Sequence, residues 1–306
     1  MLAGGVGAAR LLRGLSSLLE PSRLTVIVNT GDDEHFFGLH VSPDVDTVIY
    51  TLAGAVHPTQ GWGVADDTFR CLNGLGRFYT DTWFRLGDAD LATHLFRTDA
   101  LRRGRPLSAV TADIARASDV RVTVLPMSND PVRTHVDVVG RGPLPFQRYL
   151  VQGRGRGQVR RITWRGVRRA RPAPGTLAAI RRSTSVVIPP SNPFVSIGPI
   201  LAVPGIKAAL RQSGARIAAV SPMVGNRPVK GPLHRMLRGL GHPVSSVGVA
   251  RLYRGLVDVF VLDTADARLA PQIAALGMRP VVTDTLMHDA AASQRLAATV
   301  LAALDT

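Results

Sequence analysis

The sequence predicts an α/β fold: a doubly wound, mostly parallel sheet with a smaller antiparallel or helical segment inserted in it. Three observations predict it. Short β-branched runs recur along the 306 residues, helical stretches fall between them, and one arginine-rich stretch, 133–172, breaks the alternation. Continuous apolar runs bounded by Gly, Pro, Asn or Asp read as buried parallel strands. They lie at Leu24 to Val28, Val120 to Leu125, Val186 to Ile188, Ile217 to Val220, Val257 to Leu262 and Val281 to Val282. Helical stretches run from Ala8 to Leu19, Leu107 to Ala117, Ile206 to Gln212, Leu269 to Leu276 and His288 to Leu304. Parallel neighbours need crossover connections, so strand–helix alternation implies helices on both faces of one sheet. Residues 1–306 therefore read as a single α/β domain. In 133–172 polar and apolar residues alternate, and the arginines read as a solvated face peripheral to any chemistry. One irregularity sits at the start. A glycine turn begins at Ala3 with only Met1 and Leu2 before it, so either the first strand is very short or the chain starts late and leaves a sheet position partly unfilled.

Composition narrows the function classes. Hydrophobic residues make up 45% and charged residues 19%, which is a folded rather than a disordered composition. Cys71 is the only cysteine, which excludes an internal disulfide framework and any cysteine-based zinc or iron–sulfur site. No apolar run approaches the roughly 20 residues of a membrane helix, and no secretory leader pattern opens the chain. The expectation is a cytoplasmic protein with no membrane partner. The formal charge is +15, almost all from arginine, since Lys207 and Lys230 are the only lysines. Such charge suits nucleic acid or small phosphorylated substrates. The arginines are dispersed and aromatics are 5%, so stacking platforms are scarce and no nucleic-acid partner is expected.

Five constellations carry possible chemistry. Gly4, Gly5 and Gly7 precede a helix, where backbone can approach a phosphate. Arg10 stands where a dinucleotide fingerprint has its third glycine, and no Gly-Lys-Ser/Thr follows. The plain alternative is a tight strand-to-helix turn. In "VNTGDDEHFFGLHVSPDVDT", Asn29 to Asp33 follow a strand, and Asp32, Asp33, Asp44 and Asp46 crowd a short segment. Crowded carboxylates suit a hard cation such as Mg²⁺. Otherwise Asp44 caps a helix over Thr47 to Leu52, and Asp32 and Asp33 are turn residues. "FRLGDADLATHLFRTD" holds Arg85, Asp88, Asp90 and His94, with His94 more readily a helix residue than a base. "PPSNPFVSIGPIL" offers Ser191 and Asn192 for phosphate or for capping, and "VSPMVGNRPVKGP" offers Arg227 and Lys230. Loops at several strand ends favour one ligand cleft.

Together these strings resemble the 2-phospho-L-lactate transferase family, which makes the deazaflavin coenzyme F(420). The segments are "GGVGAARLLRGL", "VNTGDDEHFFGLHVSPDVDT", "GWGVADDTF", "LGDADLATH", "LPMSNDPVRTHV", "PPSNPFVSIGPIL", "VSPMVGNRPVKGP" and "DVFVLDTADA…DTLMH", in order over almost the whole chain. Only Arg141 to Arg171 and the first strand depart noticeably. The resemblance implies a transferase with Mg²⁺ as cofactor and a homodimer. Its acceptor is the deazaflavin Fo, and its donor a guanosine diphosphate conjugate of a lactyl, enolpyruvyl or glyceryl acid. The ribityl hydroxyl of Fo attacks the phosphorus bearing the acid, GMP leaves, and F(420)-0 or its dehydro form results. No residue acts as a nucleophile. The resemblance places Asp46 and Arg85 at the deazaflavin, makes Asp33 and Asp46 the metal candidates, and gives the guanosine phosphates to Asn29, Ser191, Asn192, Lys230 and the glycine turn. Three rivals remain open on residues alone: a non-enzymatic nucleotide-binding regulator of the related gluconeogenesis and morphogenesis factors, a nicotinamide dehydrogenase, and an RNA-binding protein.

Overall fold

The computed structural model describes residues 1–305 and builds seven strands into two parallel sets. The chain opens with β1 (Leu2–Ala3), α1 (Gly5–Ser16) and β2 (Thr25–Val28), then a hairpin of β3 (Glu34–Phe36) and β4 (Leu39–Val41). Next come α2 (Pro43–Leu52), α3 (Arg70–Leu75), α4 (Asp88–Arg102), α5 (Leu107–Ala117) and β5 (Thr123–Pro126). An antiparallel unit follows, with β6 (Arg133–Val138), β7 (Gly142–Pro145) and β8 (Val159–Arg165) in the order β7-β6-β8. The chain returns through α6 (Thr176–Arg182), β9 (Ser185–Ile188), α7 (Gly198–Ala202), α8 (Ile206–Gln212) and β10 (Arg216–Val220). A small ribbon of β11 (Met223–Val224) and β12 (Arg227–Pro228) leads to α9 (Leu233–Gly239) and α10 (Ser246–Leu252). The last elements are β13 (Val259–Asp263), α11 (Ala270–Ala274), β14 (Arg279–Thr283) and α12 (Ala290–Asp305).

The parallel sets run β1-β2-β5 and β14-β13-β10-β9, and they meet where β1 lies against β9. The result is the expected doubly wound, Rossmann-like sheet, and the burial pattern shows why. Alternate residues of each strand enter different cores: Ile217 and Ala219 of β10 face one cluster, and Ala218 and Val220 the other. β13 divides the same way, with Phe260 and Leu262 against Val259 and Val261. Leu2 and Ala3 continue this division across the seam, so a two-residue β1 is enough to join the sets. It pairs with β2 at Leu2–Ile27 and Ala3–Val28, and that sheet position is filled. The inserted stretch is antiparallel as expected, and the arginines of β8 face solvent.

Some element boundaries move for local reasons. α1 begins at Gly5 rather than Ala8, because the glycines supply its extended entry. α2 begins at Pro43, where proline's fixed φ suits a first helical turn, so Asp44 and Asp46 lie inside that turn rather than capping it. The expected Leu269 to Leu276 helix is a 3₁₀ turn, Thr264–Leu269, continued by α11. No single helix among the described residues is long and apolar enough to cross a membrane. The apolar pair Pro193–Ala202 and Ile206–Gln212 is bent by 82° and places Ile197, Ile200, Ile206 and Leu210 in the core.

α1 and α12 cross so closely that a Cβ at Gly14 would lie 2.1 Å from the Ser293 carbonyl oxygen and 3.0 Å from the Ala297 Cβ. The first of these is backbone and cannot swing away. Gly14→Ala is expected to destabilise the protein by about 1–3 kcal/mol, as overpacked cores do, despite the higher helix propensity of alanine. Urea denaturation of parent and variant measures the difference, and an equal or raised midpoint would contradict the close crossing.

Candidate functional site

The chain runs outward from β1 to β2 and β5, then returns to β9 beside β1 and continues the other way. Open α/β sheets bind ligands at the carboxyl ends flanking such a reversal. Here the loops after β1, β2 and β9 converge on Asn29, which is fully buried at the end of β2. Its Nδ2 donates to Asp32 Oδ1 at 3.0 Å, Asp44 Oδ2 at 2.8 Å and the Val195 carbonyl at 3.2 Å, and its Oδ1 accepts from Gly31 N–H at 2.8 Å. The other oxygen of Asp44 accepts from Gly5 N–H at 2.7 Å. One side chain thus ties α1, α2 and two loops together.

The cluster is acidic and dry. Burial pushes the Asp32 carboxyl well above its usual range, and the Asp44 carboxyl beside it adds to the rise. Burial also raises Asp44, to about 6, against the hydrogen bonds from Asn29 and Gly5. Asp33 Oδ2 accepts from Ser42 Oγ and His40 Nε2, each at 2.9 Å. Its Oδ1 is buried without a hydrogen-bond partner, as are Thr30 Oγ1 and Thr134 Oγ1. Carboxylate oxygens crowded together, one of them unsatisfied, are the donor set of a hard cation. Asp33 Oδ1 is therefore an open position that a hard cation could take.

Asp46 has a different setting. Residues two apart on a helix point about 200° apart, so Asp44 faces the glycine turn while Asp46 faces α4. There it forms a two-pronged ion pair with Arg97, which is fully buried; Nη1 reaches Oδ2 at 3.1 Å and Nη2 reaches Oδ1. Arg97 Nη1 also donates to His94 Nδ1 at 3.3 Å. A guanidinium cannot accept, so the ring proton of His94 sits on Nε2, 3.2 Å from Asp90 Oδ1. Asp90 Oδ1 accepts from Tyr50 Oη at 2.6 Å. Asp46, Asp90 and His94 offer ligand atoms within 4.8 Å of one another, a geometry that could hold a metal ion. Arg97 already supplies a positive charge there. Sequence reasoning missed Arg97, because nothing in "THLFRTD" separates a buried arginine from a surface one.

Next to the acids lies an aromatic cleft of about 540 Å³. Phe36, Phe37, Tyr79, Trp83 and Phe84 line it, five of the chain's sixteen aromatic residues. Phe36 and Phe84 stack with centroids 3.9 Å apart, and Trp83 meets Phe36 edge-on. Glu34 and His35 also line the cleft, so the wall begins one residue beyond Asp33. The signal available in the sequence was "DTWF" and "EHFFG", aromatic pairs in a chain otherwise poor in them.

The remaining expected residues are distributed as follows. Arg85 is exposed and stacks 4.2 Å above the Phe69 ring. Gly4 and Gly7 make close approaches to protein: a Cβ at Gly7 would meet the Pro190 carbonyl at 2.2 Å, and one at Gly4 the Ser196 Cβ at 2.7 Å. Ser191 Oγ donates to the Gly4 carbonyl at 2.7 Å, and Asn192 Oδ1 accepts from Phe194 N–H at 3.0 Å. These two side chains shape the loop after β9 around the glycine turn. Lys230 Nζ donates to the Gln60 carbonyl at 2.8 Å, and Arg227 is exposed. Asp67 accepts from Ala89 and Asp90 N–H at the start of α4, and Asp88 accepts from Arg70 and Cys71 N–H at the start of α3. The "ADDTF" and "LGDAD" strings are thus reciprocal caps.

The family profile and the curated relatives agree on one family. A family profile described as 2-phospho-L-lactate transferase CofD matches residues 1–303. The chain is 44% identical over 302 residues to a phosphoenolpyruvate transferase of Streptomyces griseus, covering 97% of this chain and 95% of that protein. It is 42% identical to the phosphoenolpyruvate transferase of Streptomyces coelicolor, with the same coverage. It is 38% identical over 306 residues to a 2-phospho-L-lactate transferase of Methanosarcina acetivorans, covering 100% of this chain and 99% of that protein. Protein BH3568 of Bacillus halodurans, a solved structure, is similar in fold, with a TM-score of 0.64 at 20% identity over 98% of both chains.

The raised Asp44 pKa has a definite sign. Asp44 ordinarily titrates at 3.8, and in the folded protein at about 6. Between those values the folded protein holds a proton that the unfolded chain has released, so stability present below about pH 4 is lost as pH rises through about 6. Asp44→Asn cannot ionise there. In chelator-treated buffer its melting temperature is expected to fall less than the parent's between about pH 4 and 6, the more so because losing the Asp44 charge also relieves Asp32. At about pH 7.5, millimolar Mg²⁺ should raise the parent's melting temperature and leave that of Asp44→Asn unchanged. A parent indifferent to Mg²⁺ in this assay removes the cation from the cluster.

Proposed function

Because the chain belongs to the 2-phospho-L-lactate transferase family and is a transferase, we propose that it moves a phospho-acid from a guanosine diphosphate conjugate to the deazaflavin Fo, releasing GMP. One observation carries the reading: the backbone leaves the buried carboxylates at Asp33 and enters directly the wall of an aromatic cleft. A planar aromatic acceptor stacks in such a cleft, and a phosphate-bearing donor needs the charge compensation available beside it. Of the readings open on residues alone, a regulator, a dehydrogenase and an RNA binder, none shares this family's transferase activity.

The chemistry asks for positioning. The terminal ribityl hydroxyl of Fo forms a new O–P bond at the phosphorus bearing the acid, and the bond to the GMP oxygen breaks. No protein nucleophile is required. Asp32, Asp33 and Asp44 are the residues proposed to hold Mg²⁺, which when bound neutralises phosphate charge. Asp46, expected as a second ligand and at the deazaflavin, is paired with Arg97; its proposed part is to orient α2 behind the acceptor. The start of α1, the Ser191–Asn192 loop and Lys230 surround the proposed donor phosphates. Identity of 42–44% to phosphoenolpyruvate transferases, against 38% to a 2-phospho-L-lactate transferase, supports an enolpyruvyl donor. Incubation with Fo and each of the three donors, followed by mass spectrometry, tests this. Dehydro-F(420)-0 is expected as the main product, and no deazaflavin product with any donor would overturn the proposal.

Arg85 sits on the aromatic face of Phe69, where a planar guanidinium stacks and an ammonium does not. Its proposed contact is the polar edge of Fo, equal in ground and transition states. Arg85→Lys is then expected to raise the KM for Fo about tenfold, ~1.4 kcal/mol, with kcat within about threefold of the parent. Steady-state kinetics at saturating donor decide it, and a collapse of kcat at unchanged KM would move Arg85 to the phosphoryl group.

A further inference from the structure

A second cavity of about 390 Å³ shares no residue with the aromatic cleft or the acid cluster. It lies between the π-helical turn Arg148–Gln152 that follows β7 and the start of α9. Arg154, Gly155, Pro232, His234 and Arg235 are among its walls, and no carboxylate is. Two arginines and a histidine therefore line one space with no acidic residue among the lining, Arg154 from an exposed position and His234 and Arg235 half-buried.

The walls are joined by hydrogen bonds and by contact. Gly155 carbonyl oxygen accepts from Arg235 Nη1 at 2.7 Å and from the buried Tyr149 Oη at 2.9 Å. A Cβ at Gly155 would stand 2.9 Å from Pro232 Cβ, so the two segments are in contact. Arg154 is held at φ 51°, in the left-handed region that a non-glycine residue enters at a cost. His234 Nδ1 is buried and has no hydrogen-bond partner. Arg154, His234 and Arg235 can donate to an anion's oxygens, and phosphate supplies several with matching geometry. Arginine at both positions favours planar, two-point contact with such an anion over a diffuse cationic surface.

We propose that this cavity is a second anion site that binds a phosphate or pyrophosphate group through Arg154, His234 and Arg235. The group comes either from a free phosphate or from a nucleotide extending out of the transfer site; only the second source rests on the proposed function. Direct binding of inorganic pyrophosphate to the full-length protein tests the site without any turnover. Calorimetry at near-physiological salt is run on the parent, on Arg154→Ser, and on Arg169→Ser, which removes the same charge from an exposed turn outside the cavity. Arg154→Ser is expected to weaken binding at least about tenfold and Arg169→Ser less than about twofold. The imidazole resonances of His234, assigned by their loss in His234→Asn, are expected to shift on titration. Competition between GMP and pyrophosphate would place a nucleotide phosphate in the cavity, and independent binding would make it a separate phosphate site. Absence of binding, equal losses in the two arginine variants, or a silent His234 overturns the proposal.

Discussion

The Asn29 carboxamide sits where four segments meet, and its hydrogen bonds decide how they meet. Two N–H hydrogens serve three acceptors, and the oxygen closes onto Gly31. Remove it and two buried carboxyls lose their neutral donor, which leaves them desolvated and repelling each other. The start of α1 depends on the same cluster, because Gly5 N–H ends on Asp44. So does the seam between the two parallel sets. β1 contributes only two residues, and the loops after β1 and β9 are locked together by Ser191 and by the tight fit at Gly7.

Arg97 constrains the opposite side of α2. A buried ion pair is a poor source of net stability, since apolar residues of similar volume often do as well. What it supplies is orientation. The two-pronged contact leaves Asp46 one arrangement, and the His94–Asp90–Tyr50 chain couples that arrangement to α4. Removing either partner alone would strand a charge in the core. α2 is thereby held by Asn29 through Asp44 and by Arg97 through Asp46, two residues apart on opposite faces. Asp44, the one carboxylate of the acid cluster on α2, is presented by a helix that cannot roll.

Charge is divided unevenly between surface and interior. The chain carries a formal +15, yet at the carboxyl edge it gathers Asp32, Asp33 and Asp44 in one buried place. A cationic surface attracts phosphate esters, and crowded carboxylates within it suit a hard cation. The aromatics are divided as unevenly. The five that line the cleft are drawn from the β3–β4 hairpin and from the loop before α4, so the cleft exists only when those segments are folded against each other.

The alternation of β-branched runs with helical stretches was enough to determine the sheet and its parallel sense, because burial on both faces leaves a pattern in consecutive residues; it located the insertion but left open whether it was antiparallel or helical. The motif strings were enough to determine the family, and the crowding of Asp32, Asp33, Asp44 and Asp46 marked the acid cluster. Which acids face each other could not be read there. Asp44 and Asp46 are separated by one residue in the chain and by most of a helical turn in space, and the start of α2 at Pro43 rather than Thr47 set that phase. The glycines read as phosphate contacts or as a tight turn, and the folded chain uses Gly4 and Gly7 to let two loops touch. Arg97 carries no local signal, since it becomes a site residue only through Asp46, 51 positions away in sequence. Tertiary structure alone decided those contacts, because a buried polar group is identified by what satisfies it, and its neighbours along the chain are not what satisfies it.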